Sequence, residues 1–392
     1  MRTSASTAPV LTRGLVMTFA VGCGLAVGNI YYAQPLTRVI GREFHLNDAQ
    51  SGAIVTLTQL GYACGLVFLA PLGDLIENRR VITVVFSGSV ASALALTFVT
   101  TYPALLAVCF ALGFSSVVAQ MLVPFAAHLA PPEKRGQMVG QVMSGLLMGI
   151  LLARAFAGII SGAFGWRMVY LASAVLVALM IVILRVRLPE RRPALRQSYG
   201  SLIGSLAKVF RTQPVLRRRG IYQACMLAAF SVFWTSITFL LSSPYWHFSQ
   251  TGIGLFALAG AAGALFTSVA GRWADRGYGR RITCAALLLA IGALGLTLLD
   301  THLWALVAGA ILLDLAVNSN LVTGQQAIYA LNQSERSRIN TIFIAMFMGG
   351  AALGSALAGF AYAQGGWPAV VMTGAAFPAV AFLYWLTEPA KL

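Results

Sequence analysis

Acidic side chains are scarce: 11 Asp and Glu stand against 27 Lys and Arg in 392 residues, and charged residues make up 10% of the chain. Soluble globular domains carry about 25% charged residues, so a water-soluble globule is excluded. The five cysteines, Cys23, Cys64, Cys109, Cys225 and Cys284, form no CxxC pair and fall in or beside apolar runs. Neither disulfides nor a metal site is expected from them. No GxxxxGK[ST] phosphate loop occurs, which argues against ATP drive. No zinc-ligand or catalytic-triad spacing occurs either, and the apolar runs hold no cluster of histidines or acids. An enzyme, a catalytic residue and a cofactor are therefore not expected. Ten-residue alternation, the mark of a membrane strand, is also missing.

Long apolar runs fill the chain, which is 58% hydrophobic. A helix needs about 20 such residues to cross a ~30 Å hydrocarbon core. Twelve spans are predicted, near 14–40, 51–72, 81–100, 104–130, 137–164, 166–185, 221–246, 252–272, 282–299, 303–329, 339–363 and 367–387. The first run has Arg2 and Arg13 before it and is too long for a signal peptide, so it reads as a retained helix. Alternate loops hold Arg79, Arg80, Lys134, Arg135, Arg276, Arg280, Arg281, Arg336 and Arg338, and a middle loop adds ten more basic residues from Arg185 to Arg219. The other loops hold little beyond Arg38, Arg42 and Arg167. This bias puts both termini in the cytoplasm and accounts for the +16 charge without nucleic acid. The basic middle loop is also suited to anionic lipid heads.

The spans fall into an N-terminal bundle, 1–185, a polar basic linker, 186–220, and a C-terminal bundle, 221–392. Within the linker, Tyr199–Phe210 suits an amphipathic surface helix. The bundles share a register. Gly149, Gly158, Gly165 and Trp166 match Gly350, Gly359, Gly366 and Trp367 at one offset, which also sets Arg135 on Arg336 and Arg80 on Arg281. Duplication follows. Between spans 2 and 3 the chain reads Gly73, Asp74, Glu77, Arg79, Arg80; between spans 8 and 9 it reads Gly271, Asp275, Arg280, Arg281.

These loops, twelve spans and a basic central linker resemble the major facilitator superfamily, whose loop signature is G-x-x-x-D-R-x-G-R-R. The second copy fits with one extra residue, while Glu77 takes the aspartate position of the first. Gly28–Pro35 and Gly149–Arg154 look like the bacterial arabinose-efflux or drug:proton-antiporter branch. The resemblance implies an all-α membrane protein of twelve transmembrane helices in two pseudo-symmetric six-helix bundles. It also implies that Glu77, with Asp74 nearby, and Arg79 and Arg80 latch the cytoplasmic side and stabilise the outward-facing state, an alternative being that Arg79 and Arg80 serve only topology.

Two charges stand alone inside spans: Arg154 in span 5 and Asp314 in span 10. Such an arginine costs roughly 2.5–3.5 kcal/mol to insert. Arg154 lies roughly 15 Å from the Phe164 end of its span, and Asp314 roughly 17 Å from Leu303, so both sit near the midplane. The resemblance brings spans 5 and 10 near each other. Arg154 and Asp314 are expected to approach across a central cavity and to couple protons. A permanent structural ion pair, or two charges that never meet, are the alternatives. His128 and His302 read as solvated.

Candidate solute contacts are Asn29, Tyr32 and Gln34 in span 1, Gln120 in span 4, Trp234 in span 7, and Asn318 and Gln325, which share a face with Asp314 in span 10. Tyr31, Tyr222 and Tyr245 are further aromatic candidates, and Gln59 is a single polar group in span 2. Each single amide has an interhelical hydrogen bond as its plainer reading. Pro35 is expected to bend span 1. Gly145, Gly149, Gly158 and Gly162 in span 5, with Gly350, Gly354 and Gly359 in span 11, set small residues at spacings that permit close helix approach. The resemblance puts their partners across the bundle interface. The expected function is secondary transport of a small organic solute by a monomer in the bacterial inner membrane, with proton-coupled efflux by antiport. A proton-coupled importer that binds an organic anion at Arg154, or a non-transporting ligand sensor, are the rivals.

Overall fold

The protein is described by a computed structural model over residues 12–131, 134–190, 198–260, 274–332 and 335–388. It is all-α, and no strand occurs among the described residues. Ten helices among them are long and apolar enough to cross a membrane. One of these, Arg336–Leu386, has 51 residues. At 1.5 Å per residue it would be about 76 Å long, so it holds spans 11 and 12. They part at Gly365 and Gly366, and Gly366 takes φ 61°, ψ −150°, a conformation that needs glycine. Span 8 begins as Gln250–Phe256, and its stretch 261–273 lies outside the described residues.

Local signals set most boundaries. Thr12, Ser198 and Ser249 cap spans 1, the linker helix and span 8, and Asn47 forms a capping box with Gln50 at the start of span 2. Span 1 breaks at Tyr32 into Arg13–Tyr31 and Ala33–Glu43. The break precedes Pro35, because a proline ring collides with the carbonyl four residues back, here Tyr31. Span 7 starts at Pro214 rather than at 221, and every residue from Met226 to Leu241 is buried.

In the first bundle span 1 packs on span 5, span 2 on span 4, and span 3 on span 6; in the second, span 7 packs on span 11 and span 9 on spans 10 and 12. A Cβ at Gly145 or Gly149 would strike the backbone of Ala20 or Gly24 in span 1. One at Gly350 or Gly354 would strike Ala224 or Ala228 in span 7. The same span pair thus packs the same way in each half, as duplication requires. These four glycines join helices within a bundle, which corrects the expectation that they face the other one. The reason is depth: in each span these glycines lie nearer the termini than Gly158 or Gly359, which meet the other bundle.

Across the interface spans 2 and 11, and spans 5 and 8, come together. There a Cβ at Gly158 would lie 2.5 Å from Gly254 Cα, and one at Gly359 would lie 2.9 Å from Ala49 Cα. Both contacts are at the face opposite the termini, and they close it. Arg38 pairs with Asp48 at 2.8 Å, and Arg167 pairs with Glu43, on that same face.

Candidate functional site

Arg154 sits where the two bundles meet. Its span turns inward there: Ala153, Arg154, Ala155, Ala157 and Gly158 are all buried. Span 1 brings Gln34 into the same space. Arg154 Nε donates to Gln34 Oε1 at 2.7 Å. Span 7 contributes the walls: the guanidinium carbon lies 4.5 Å from the Trp234 ring centre and 5.0 Å from that of Phe230, with Tyr31 of span 1 at 5.1 Å. Three rings around one cation give it attraction to their π faces in place of water. Thr238 of span 7 donates to the Gln34 carbonyl at 3.2 Å, which ties the span 1 break to the second bundle.

Asp314 completes the centre from span 10. Its Oδ1 accepts the Trp234 indole N–H at 3.0 Å. Its other oxygen lies against Gly260, where a Cβ would meet Trp234 Cζ2 at 2.8 Å and Asp314 Cγ at 3.0 Å. Gly260 is therefore a site residue that sequence reasoning missed; a single glycine in an apolar run carries no signal of its own. Arg154 and Asp314 are both buried, but no ion pair within 4.0 Å joins them among the described residues. The alternative of a permanent ion pair therefore does not describe this conformation. Trp234 touches both charges instead, with its face to the cation and its N–H to the acid.

Two donors in this centre have no acceptor among the described residues, Arg154 Nη2 and Gln34 Nε2, and both are sealed from solvent. A buried donor left so costs about 1–3 kcal/mol, and more when charged.

Of the other expected contacts, several lie elsewhere. Asn29 accepts from Ser173 of span 6 at 2.6 Å, and the Tyr32 ring packs on Phe156 and Tyr170, all within the first bundle. Gln120 bonds the Tyr62 hydroxyl at 3.3 Å and lines a cavity toward the terminal face. Asn318 donates to the Asp314 carbonyl at 2.8 Å on its own helix. Gln325 is half-buried and about 16 Å along the helix from Asp314, so a shared face does not make a shared site. Tyr222 bonds Glu388 at the terminal face, and Tyr245 is exposed. Gln59, a lone amide in the sequence, spans the interface, donating to Ser231 at 3.3 Å and accepting from Ser355 at 2.8 Å.

At the terminal face, Glu77 and Arg79 bond within the first bundle. Glu77 accepts the backbone N–H groups of Arg79 at 2.8 Å and Arg80 at 2.9 Å, so it caps span 3 and pairs with neither guanidinium. Arg79 reaches the Leu188 carbonyl and Glu190 at the end of span 6. Gly73 and Asp74 line a cavity together with Ser337 and Arg338 of the second bundle. Leu202 and Leu206 of the linker helix line it too. Arg80 is exposed, Arg280 stacks 4.8 Å over Trp385, and Arg281 stacks 5.5 Å over Tyr278. Gly271 lies outside the described residues, and of Asp275 only the backbone turn Ala274–Tyr278 is described.

Two helical bundles closed over a buried, charged centre define a multi-pass membrane transporter. The chain belongs to the Major Facilitator Superfamily, whose sequence model matches residues 15–266 and 221–392. It is similar to the putative uncharacterized transporter YgaY of Escherichia coli (strain K12), 41% identical over 382 residues that cover 96% of this chain and 95% of that one. It is also 32% identical to the probable transporter SCO4007 of Streptomyces coelicolor (strain ATCC BAA-471 / A3(2) / M145), over 95% of this chain and 87% of the relative. Among solved structures, a mutant of the nucleoside transporter NupG superposes with a TM-score of 0.77 at 16% identity, over 95% of this chain and 98% of that one. That likeness is one of fold.

Proposed function

We propose that this protein is a proton-coupled secondary transporter that moves a small organic solute by alternating access, with the solute bound at the Arg154 centre and the proton at Asp314. One observation carries the coupling: a lone carboxylate, buried in span 10, is held by a neutral indole donor at 3.0 Å and not by the nearby arginine. Such a group gains a proton when its surroundings are dry and loses it when a cation or water approaches. Span 10 and span 5 belong to different bundles, so rocking of the bundles changes the approach of Arg154 to Asp314. The backbone contacts of Gly158 and Gly359 support one sealed face, and rocking about the buried centre would open that face while closing the other.

The sense of exchange depends on which charge the solute engages. A solute that takes Asp314 displaces its proton and moves by antiport, which is the efflux reading of the arabinose-efflux-like branch. A solute that takes Arg154 leaves the proton in place and travels with it. The basic loops support both termini facing the cytoplasm of a bacterial inner membrane, with bundles 1–185 and 221–392 about the linker 186–220. The protein acts as a monomer in this reading.

Reconstitution into proteoliposomes tests the proposal. An imposed pH gradient is expected to drive solute movement in the native protein and to have no effect in Asp314→Asn. Gradient-driven accumulation by Asp314→Asn would remove Asp314 from the coupling role. No flux in either protein would favour a ligand sensor.

A further inference from the structure

The two unpartnered donors name the solute's chemistry, on the reading that the Arg154 centre is the solute site. We infer that the solute is a small monocarboxylic acid with a flat apolar body, its carboxylate taken by Arg154 Nη2 and Gln34 Nε2. Both side chains are buried, 3% and 1% exposed, and both donors lack an acceptor among the described residues. They belong to side chains already in contact, because Arg154 Nε donates to Gln34 Oε1 at 2.7 Å and so holds the amide at the guanidinium. Two unpartnered N–H donors on contacting side chains, one of them cationic, suit the two oxygens of a carboxylate.

The protein's own acid does not fill this role. Asp314 turns one oxygen to Trp234 at 3.0 Å, and its other lies against Gly260. With the proton on Asp314, the centre carries the single positive charge of Arg154, so a monoanion balances it and a phosphate dianion does not. The rings of Tyr31, Phe230 and Trp234, 4.5 to 5.1 Å from the guanidinium carbon, supply faces for an apolar body once the bundles part. In the closed arrangement the same rings cover the cation, which keeps it dry between cycles.

Binding to the full-length protein in detergent tests this, with matched acid and amide pairs: benzoate and benzamide, indole-3-acetate and indole-3-acetamide, 4-phenylbutyrate and its amide. In at least one pair the acid is expected to bind about tenfold or more tighter than the amide. Arg154→Gln should abolish that preference, and Gln34→Glu should weaken the acid about tenfold or more through like charge. Arg154→Lys, which keeps the charge without the fork, should retain only part of it. Equal binding of acid and amide in every pair, or a preference that survives Arg154→Gln, overturns the inference. Proton-driven flux without any acid preference would overturn it while leaving Asp314 as the coupling group. Acid binding without flux would support the site and sink the transport reading.

Discussion

Trp234 donates its indole N–H to Asp314 at 3.0 Å while the face of the same ring lies 4.5 Å under the Arg154 guanidinium. One side chain thus reads both charges. Removing the N–H and keeping a ring separates the two contacts. Trp234→Phe should fold and insert normally, since the aromatic packing with Phe233 and Phe256 survives in part. It leaves Asp314 without its indole donor, and a hydrogen bond to a charged group is worth about 1.5–3 kcal/mol. Proton-driven transport in proteoliposomes is expected to fall about 10- to 100-fold. Unchanged transport would show that the indole N–H has no part in coupling.

Gly158 and Gly254 meet backbone to backbone at the face opposite the termini, where a Cβ on Gly158 would lie 2.5 Å from Gly254 Cα and 2.7 Å from the Gln250 carbonyl. Backbone cannot yield as a flexible side chain does. Gly158→Val is therefore expected to hold that face open. Spin labels at the exposed positions Asn47 and Ala363, in a background with the five cysteines replaced, report the change. The distance distribution should move to longer values in Gly158→Val. A distribution identical to that of the parent would refute the closure assigned to this contact.

Gln59 uses both ends of its amide on the other bundle, with Ser231 at 3.3 Å and Ser355 at 2.8 Å. Each bond is worth about 0.5–1.5 kcal/mol net. Gln59→Leu removes both and leaves two serine hydroxyls that find water only when the face opens. The open population of the same spin-label pair should rise about 5- to 100-fold. A shift in Gln59→Leu as small as that of an exposed-surface control would show that the amide merely packs.

Much of this centre is legible in the chain. Arg154 and Asp314 stand out because charge inside an apolar run is costly, and Gln34 and Trp234 are candidates because polar groups at such depth need a reason. The duplication, too, shows in a fixed offset of glycines and arginines. Periodicity gives the azimuth of a residue on its helix but not what stands opposite. Asn318 and Gln325 share the Asp314 face, yet one bonds its own backbone and the other lies several turns away. The glycine stripes are visible while their partners are not, because the near half of span 5 meets span 1 and the far half meets span 8. Gly260 gives no signal, since its role rests on a carboxylate from a distant span. The basic run 217–219 reads as loop, although Pro214 starts a helix that carries Arg219 inward.

That last residue leads to a stability prediction. Arg219 Nη2 pairs with Glu388 at 2.8 Å, Arg219 Nη1 donates to Thr283 at 3.0 Å, and Tyr222 donates to the second Glu388 oxygen at 3.1 Å. The Glu388 side chain is 1% exposed with both oxygens bonded, and the Arg219 side chain is 9% exposed. The pair fastens the end of span 12 to the start of span 7. Removing one partner strands the other, at a cost of about 3–5 kcal/mol. Glu388→Ala should therefore lower the thermal midpoint in detergent sharply. The double replacement Arg219→Met with Glu388→Leu should recover much of the loss, because two apolar groups leave no buried charge unpaired. Thermal unfolding of the three proteins checks this. A double variant no better than Glu388→Ala would mean that the pair's role is a geometry only ions provide, and not the mutual neutralisation argued from its burial.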